Sequence, residues 1–283
     1  LVPKVLICSN YAWTVFNFRL PLIKKMKALG YKVVVITQFD GYEEKIKKDV
    51  DQILPLFISR KGVNPFIDTI TFLHLVITFF RIKPHYILLF TIKPVIYGTL
   101  AAKFFGIKSI VMITGLGTSF IINNWITSLV KLMYKFSLKS AHIVFFQNSD
   151  DKDLFLENKL INPKVCKMIP GSGIDTSKFR YIAPKNNKKV TFLLIARMLW
   201  DKGVGEYVKA ARIIKLKYPN TIFQLLGPLG VQNRTAISEE KMNRWEKEGY
   251  IEYLGATDDV MVFIKRACCV VLPSYREGIS RVL

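Results

Sequence analysis

Val270-Val271-Leu272-Pro273-Ser274-Tyr275-Arg276-Glu277-Gly278-Ile279-Ser280-Arg281-Val282-Leu283 closes the sequence, and it holds a whole structural transition. Its apolar, β-branched run stops at Pro-Ser and reads as a buried parallel strand. The Glu-Gly that follows is expected to open a helix whose first N–H groups have no partner inside the helix and would face an anionic ligand.

Upstream, a second stretch has the same design. Val190-Thr191-Phe192-Leu193-Leu194-Ile195-Ala196 reads as a buried strand, followed by Arg197-Met198-Leu199-Trp200-Asp201-Lys202-Gly203 and a helix expected from about Val204 to Lys217. Arg197 and Lys202 thus sit just before a helix N-terminus. A guanidinium forks two oxygens and an ammonium adds a point charge, a pairing suited to a diphosphate. Together the two loops point to a nucleotide diphosphate-sugar site.

At these residues the chain resembles the retaining glycosyltransferases of the GT-B fold, family 4. The resemblance rests on the Arg197-x4-Lys202-Gly203 loop, the Pro273-Ser274-x-x-Glu277-Gly278 loop and a linker reading Ile169-Pro170-Gly171-Ser172-Gly173-Ile174-Asp175. It implies that Arg197 and Lys202 bind the donor diphosphate, that Glu277 contacts the donor sugar, and that the amides of Gly278 and Ile279 lie beside it. It also implies an α/β fold of two facing Rossmann-like domains with mainly parallel sheets, the second incomplete. The family's second Glu, on the ribose, would be residue 285, whereas the sequence stops at Leu283 and begins at Leu1 without Met. The expectation is a fragment of a longer enzyme.

Composition narrows the class. The 283 residues suffice for two domains with real cores, and 51% hydrophobic against 22% charged residues excludes disorder. The net charge of +21 admits three explanations: nucleic acid, an anionic membrane surface, or Lys-rich solvated helix faces. No zinc-finger, RRM or KH pattern is present, so no nucleic-acid partner is expected. Cys8, Cys166, Cys268 and Cys269 form no CxxC pair; Cys268-Cys269 in an apolar run reads as buried reduced thiols, consistent with a reducing cytosol. Phe66–Phe80 and Tyr86–Phe105 are apolar, but the first is short of the roughly 20 residues of a spanning helix and the second is broken by Lys93-Pro94 and Gly98. No transmembrane helix is expected.

The first half alternates strand and helix patterns, as doubly wound sheets do. Strands are expected at Lys4–Ser9, Val33–Thr37, Tyr86–Thr91, Ser109–Ile113 and Ile143–Gln147, and helices at Phe18–Leu29, Pro65–Phe80, Val95–Phe105 and Trp125–Lys139. A second series follows the polar run 184–189: strands at Lys188–Ala196, Thr221–Leu226, Ile251–Leu254 and Cys268–Leu272, with helices at Val204–Lys217, Ser238–Glu248 and Asp258–Arg266. The domains are therefore expected as 1–183, binding the acceptor, and 184–283, binding the nucleotide-sugar.

Such sheets take ligands at the carboxyl ends of their strands. In the first half this points to Asn10–Arg19, Thr91–Pro94 and Thr114–Phe120. The aromatics after β-strand Lys4–Ser9 would either pack the first helix or meet a lipid or sugar acceptor. Arg19, expected in a first helical turn, would answer to an anionic ligand or stand as a solvated surface residue. Lys93-Pro94-Val95-Ile96-Tyr97-Gly98 resembles the Lys-Pro-Asn-x-Tyr-Gly run of bacterial family 4 enzymes that extend sugars on diphospho-undecaprenol, including α-1,3-N-acetylgalactosaminyltransferases, with Val95 in place of Asn. By that resemblance Lys93 would bind the acceptor diphosphate. Gly115 and Gly117 would line the acceptor side or simply permit the turn. The Phe66–Arg81 surface would rest on a membrane leaflet or form a core face. His85 and His142 precede strands and read as structural.

The expected chemistry is transfer of a hexose or N-acetylhexosamine from a UDP-sugar to a lipid-linked saccharide, with retention. Arg197, Lys202, Glu277 and helix amides would carry it with no metal and no cofactor. The expected setting is the cytoplasmic face of the plasma membrane, with the protein peripheral on it. Two alternatives stand beside this reading: a GT-B-fold sugar-nucleotide epimerase or phosphorylase, and a non-enzymatic basic membrane- or nucleic-acid-binding protein.

Overall fold

The computed structural model describes residues 2–59, 64–116, 125–177, 179–181, 189–231 and 233–282. Two compact units divide between Gly173 and Ile174. The boundary expected at 183 and the polar run up to Lys188 fall in 182–188, outside the described residues.

Unit 1 is built on seven strands: β1 (Lys4–Ser9), β2 (Lys32–Thr37), β3 (Gln52–Pro55), β4 (Tyr86–Phe90), β5 (Lys108–Ile113), β6 (Ile143–Phe146) and β7 (Cys166–Met168). Their order is β3-β2-β1-β4-β5-β6-β7, every pairing parallel. The helices are α1 (Ala12–Ala28), α2 (Glu43–Lys47), α3 (Pro65–Ile82), α4 (Ile92–Phe104), α5 (Trp125–Ser137) and α6 (Ser149–Glu157). Right-handed crossovers that run in opposite directions from β1 place helices on opposite faces of the sheet. Side-chain alternation confirms the division: Ile7, Val33 and Val35 pack in one cluster with Ala12, Val15, Ile23 and Ile46, while Leu6, Cys8, Val34 and Ile36 pack in another with Leu75, Phe79, Val95 and Ile96. Both faces being covered, β1 and β2 read as unbroken apolar runs.

Unit 2 carries β8 (Thr191–Ile195), α7 (Val204–Lys217), β9 (Ile222–Leu226), α8 (Glu239–Lys247), β10 (Glu252–Tyr253), α9 (Met261–Ile264) and β11 (Cys269–Val270). Its parallel sheet runs β10-β9-β8-β11. Leu194, Val204, Tyr207, Val208, Phe223, Trp245 and Ile251 form its core.

Several expectations change. The first helix begins at Ala12 rather than Phe18, because the aromatic run Trp13–Phe18 belongs to the helix and not to a loop before it. The short α2, β3, α6 and β7 carried too little apolar periodicity to be read from the sequence. Cys268 and Cys269 are exposed free thiols, not buried ones; among the described residues β11, which holds Cys269, pairs with β8 alone. The helix expected after Glu277-Gly278 is absent from the described residues 278–282.

Candidate active site

In each sheet the strand order reverses beside one strand, and ligands of open α/β sheets collect at the carboxyl ends flanking that point. In unit 2 the reversal lies between β8 and β11. The loops leaving these two strands are the Arg197–Gly203 loop and the Pro273–Gly278 loop, so the topology brings both sequence-predicted segments to one place.

They are stitched together closely. Gly203, at φ +70, ends the turn Trp200–Lys202 and starts α7. A Cβ there would lie 2.1 Å from the Pro273 carbonyl oxygen, so only glycine permits this approach. The Tyr275 amide donates to the Asp201 carbonyl at 3.1 Å, and Thr235 Oγ1 donates to Asp201 Oδ2 at 3.0 Å. Lys202 Nζ then lies 2.5 Å from Glu277 Oε1, and Ser274 Oγ donates to the same oxygen at 2.7 Å. Arg197 is exposed, and its guanidinium makes no hydrogen bond or ion pair among the described residues. Tyr275 donates its hydroxyl to Glu206 Oε1, in the first turn of α7, at 2.9 Å, and that hydrogen bond holds the phenol above its ordinary pKa. Gly278 is half-buried and Ile279 is exposed beside Glu277, neither in a helix. Ser274 is a residue the sequence reading left without a role; its place three positions before Glu277 was the available signal.

In unit 1 the reversal lies at β1, between β2 and β4. Arg19 is not in a first turn but in the middle of α1, buried, with its guanidinium 4.0 Å from the Phe90 ring centroid and donating to Ser172 Oγ at 3.0 Å. Gln147 donates to the same hydroxyl at 3.3 Å. Arg19 is therefore not a solvated surface residue: it ties Ser172 to α1, and Gln147, just past β6, holds the same hydroxyl. The N-terminus of α1 is met by a protein anion, since the Trp13 amide donates to both carboxylate oxygens of Asp40, at 3.2 and 3.1 Å. This occupant was missed because Asp40 lies on the loop after β2, far from α1 in sequence.

Lys93, in the first turn of α4, pairs with Asp68 of α3 at 2.5 Å, and both are largely buried. Burial, and the neighbouring Asp68, push the Tyr97 hydroxyl above its ordinary pKa. Lys93 is thus tied to α3 in this structure. Thr91, between β4 and α4, has φ +71, a left-handed value that is unfavourable for a β-branched side chain. Gly115 has φ +123 in the loop after β5, and Gly117 lies outside the described residues.

Among the described residues no group of three or more His, Cys, Asp or Glu side chains could hold a metal ion. Helix α3 has eighteen residues and a mean hydropathy of 1.4, long and apolar enough by length and composition to cross a membrane. Its length exceeds the expected one because it continues through Arg81 and Ile82. Asp68, Thr71, Leu75, Thr78 and Phe79 are buried on its inner face, and Phe66, Ile70, Leu73, Ile77 and Phe80 are exposed on its outer face.

A glycosyl transferase 4-like family model matches residues 4–148, and a glycosyl transferases group 1 model matches 175–283. The chain belongs to the glycosyl transferase 4-like family. This glycosyltransferase is 30% identical, over 95% of its length and 74% of the relative's, to the N,N'-diacetylbacillosaminyl-diphospho-undecaprenol alpha-1,3-N-acetylgalactosaminyltransferase of Campylobacter jejuni. Its structure is similar to a glycosyltransferase from Rickettsia africae, with TM-score 0.69 and 18% identity over 96% of this chain and 73% of that one. It is also similar to Anabaena Alr3699/HepE in complex with UDP-glucose, with TM-score 0.72 and 13% identity over 99% and 76% of the two chains. A UDP-N-acetylglucosamine 2-epimerase shares the fold at TM-score 0.64, 15% identity and 95% and 74% coverage. The expected α/β, GT-B fold holds, as does the expected enzyme class.

Proposed function

We propose that this glycosyltransferase moves an N-acetylhexosamine or hexose from a UDP-sugar to a saccharide carried on a lipid diphosphate, with retention of the anomeric configuration. The observation that carries the reading is the cluster at the β8/β11 reversal, where Lys202 and Glu277 meet on two stitched loops and Arg197 opens the same loop as Lys202. Two cations beside α7 suit the two phosphates of a nucleotide-sugar, and Glu277 suits sugar hydroxyls as an acceptor. The relative from Campylobacter acts on a diphospho-undecaprenol-linked saccharide, which supports the acceptor class.

In the reaction the bond from the sugar's anomeric carbon to the UDP oxygen breaks. The acceptor oxygen bonds to the same face of that carbon, and its proton goes to the departing phosphate oxygen. Charge that develops on the leaving diphosphate is stabilised by Arg197 and Lys202, a function that in such sites is worth about a hundredfold or more per group. These residues would do so without a metal or a further cofactor.

The reading places the enzyme on the cytoplasmic face of an anionic membrane. Support comes from the outer stripe of α3 together with Phe104 and Phe105, whose rings lie 6.0 Å from Phe72 and 6.2 Å from Phe80. Arg81, Lys83 and Lys103 border it, and the chain carries a net charge of +21. An apolar strip edged by cations suits an interface between acyl chains and anionic headgroups.

The test is turnover of UDP-N-acetylgalactosamine with a short-chain polyprenyl-diphosphate saccharide as acceptor. Acceptor-dependent release of UDP, lowered about a hundredfold or more in Lys202→Ala and Arg197→Ala, is the expected result. Conversion of the UDP-sugar without acceptor would favour the epimerase alternative. Failure of the folded protein to bind UDP at all would overturn the reading.

A further inference from the structure

The two groups expected to hold opposite ends of a donor are bonded to each other. Lys202 Nζ donates to Glu277 Oε1 at 2.5 Å, with the side chains 19% and 30% exposed. Ser274 Oγ donates to that same oxygen at 2.7 Å. Arg197, by contrast, shares its charge with no described side chain. Of the two cations, one is open to a ligand and the other is held by a carboxylate.

We infer that Glu277 competes with the ligand's diphosphate for Lys202, and so makes the site prefer a sugar-bearing nucleotide to the bare nucleoside diphosphate. The inference rests on the donor reading above. When Lys202 turns to a phosphate oxygen, Ser274 still holds Glu277 in place, and a carboxylate is left beside the diphosphate. Bare UDP ends in a terminal phosphate with one more ionisable oxygen than the sugar nucleotide, in which that oxygen is esterified. The remaining carboxylate therefore repels bare UDP more strongly. It also accepts hydroxyl hydrogen bonds only when a sugar is attached, and an acceptor left without its donor in a dry site is unfavourable. Both effects disfavour the product relative to the substrate, so the same residue that grips the sugar also assists release of UDP after transfer.

The test is calorimetric titration of the wild-type chain, Glu277→Gln, Lys202→Gln and the double variant with UDP and with UDP-N-acetylgalactosamine. Glu277→Gln is expected to bind UDP about fivefold more tightly, the scale of a part-exposed ion pair, and to bind the sugar nucleotide more weakly. In the Lys202→Gln background the gain for UDP is expected to shrink without vanishing, because the repulsion between Glu277 and the terminal phosphate remains once the competition for Lys202 is gone; an undiminished gain would overturn the competition. Glu277→Ala, which also removes the charge, carries the same expectation and keeps the test open if the Gln side chain disturbs the loop. Unchanged or weaker UDP binding in both neutral variants, with wild type binding UDP, would overturn this inference alone. No UDP binding by wild type would remove the donor reading and this inference with it.

Discussion

Gly203 is the residue on which the proposed donor site most depends for its shape. Any side chain there meets the Pro273 carbonyl and must also adopt φ +70. Gly203→Ala is therefore expected to destabilise unit 2 by about 1–3 kcal/mol and to weaken UDP binding, measured by denaturant unfolding and calorimetry. Stability close to wild type would show that the loops part without penalty. Asp51 illustrates a different single-residue effect. Burial acts to raise its pKa, but hydrogen bonds from Lys27 Nζ at 2.6 Å and the Val33 amide at 2.7 Å, with the charges of Lys27 and Lys32, outweigh it and hold the carboxyl below the ordinary value. Its stabilisation is thus present above the unfolded pKa of about 3.9 and lost as pH falls through the lower folded value. Asp51→Asn should flatten that acid limb of the stability curve and cost about 1 kcal/mol near neutrality; an unaltered limb would remove Asp51 from the account. The two loops that meet at the β8/β11 reversal were readable in the sequence because each follows directly on an apolar strand. Asp40 and Ser172 were not, since their partners are distant in the chain and only folding brings them together.

At the scale of elements, α3 has two faces with different tasks. Its inner face is fixed by Leu75, Phe79 and the Asp68–Lys93 pair, and its start is fixed by Asn64, whose side chain accepts from the Phe66 and Ile67 amides beside Pro65 at the first position. Nothing of that sort explains Phe66, Ile70, Leu73, Ile77 and Phe80 outside. Leu73→Glu with Ile77→Glu is expected to reduce binding to phosphatidylglycerol-containing vesicles about tenfold or more, in a sedimentation assay, while leaving UDP affinity unchanged. Equal vesicle binding would mean that the stripe does not meet lipid. The extent of α3 and of α7 was legible because both carry long periodic runs and clear ends. The start of α1 was hidden by its aromatic content.

For the whole molecule, the positive charge is the property that no single element explains. A net +21 over 283 residues predicts that vesicle binding weakens steadily with salt, as each cation near an anionic surface contributes about 1 kcal/mol and is screened within a Debye length of roughly 10 Å at 0.1 M. Salt-independent binding would assign the attachment to the apolar strip alone. Alternating strands and helices announced two α/β layers, but the β3-β2-β1-β4 order could not be read from them, because strand neighbours are chosen by tertiary packing. That order has a consequence during synthesis. β1 pairs on one side with β2 and on the other with β4, Val5 facing both Val33 and Tyr86. At the usual ribosomal pace of about 5–20 residues per second, the central strand waits roughly 4–16 s for its second neighbour. During that interval Val5, Leu6, Ile7 and Cys8 offer an open, apolar backbone edge to the cell, so the most deeply buried strand of the finished protein is the one most in need of a chaperone while the chain is being made.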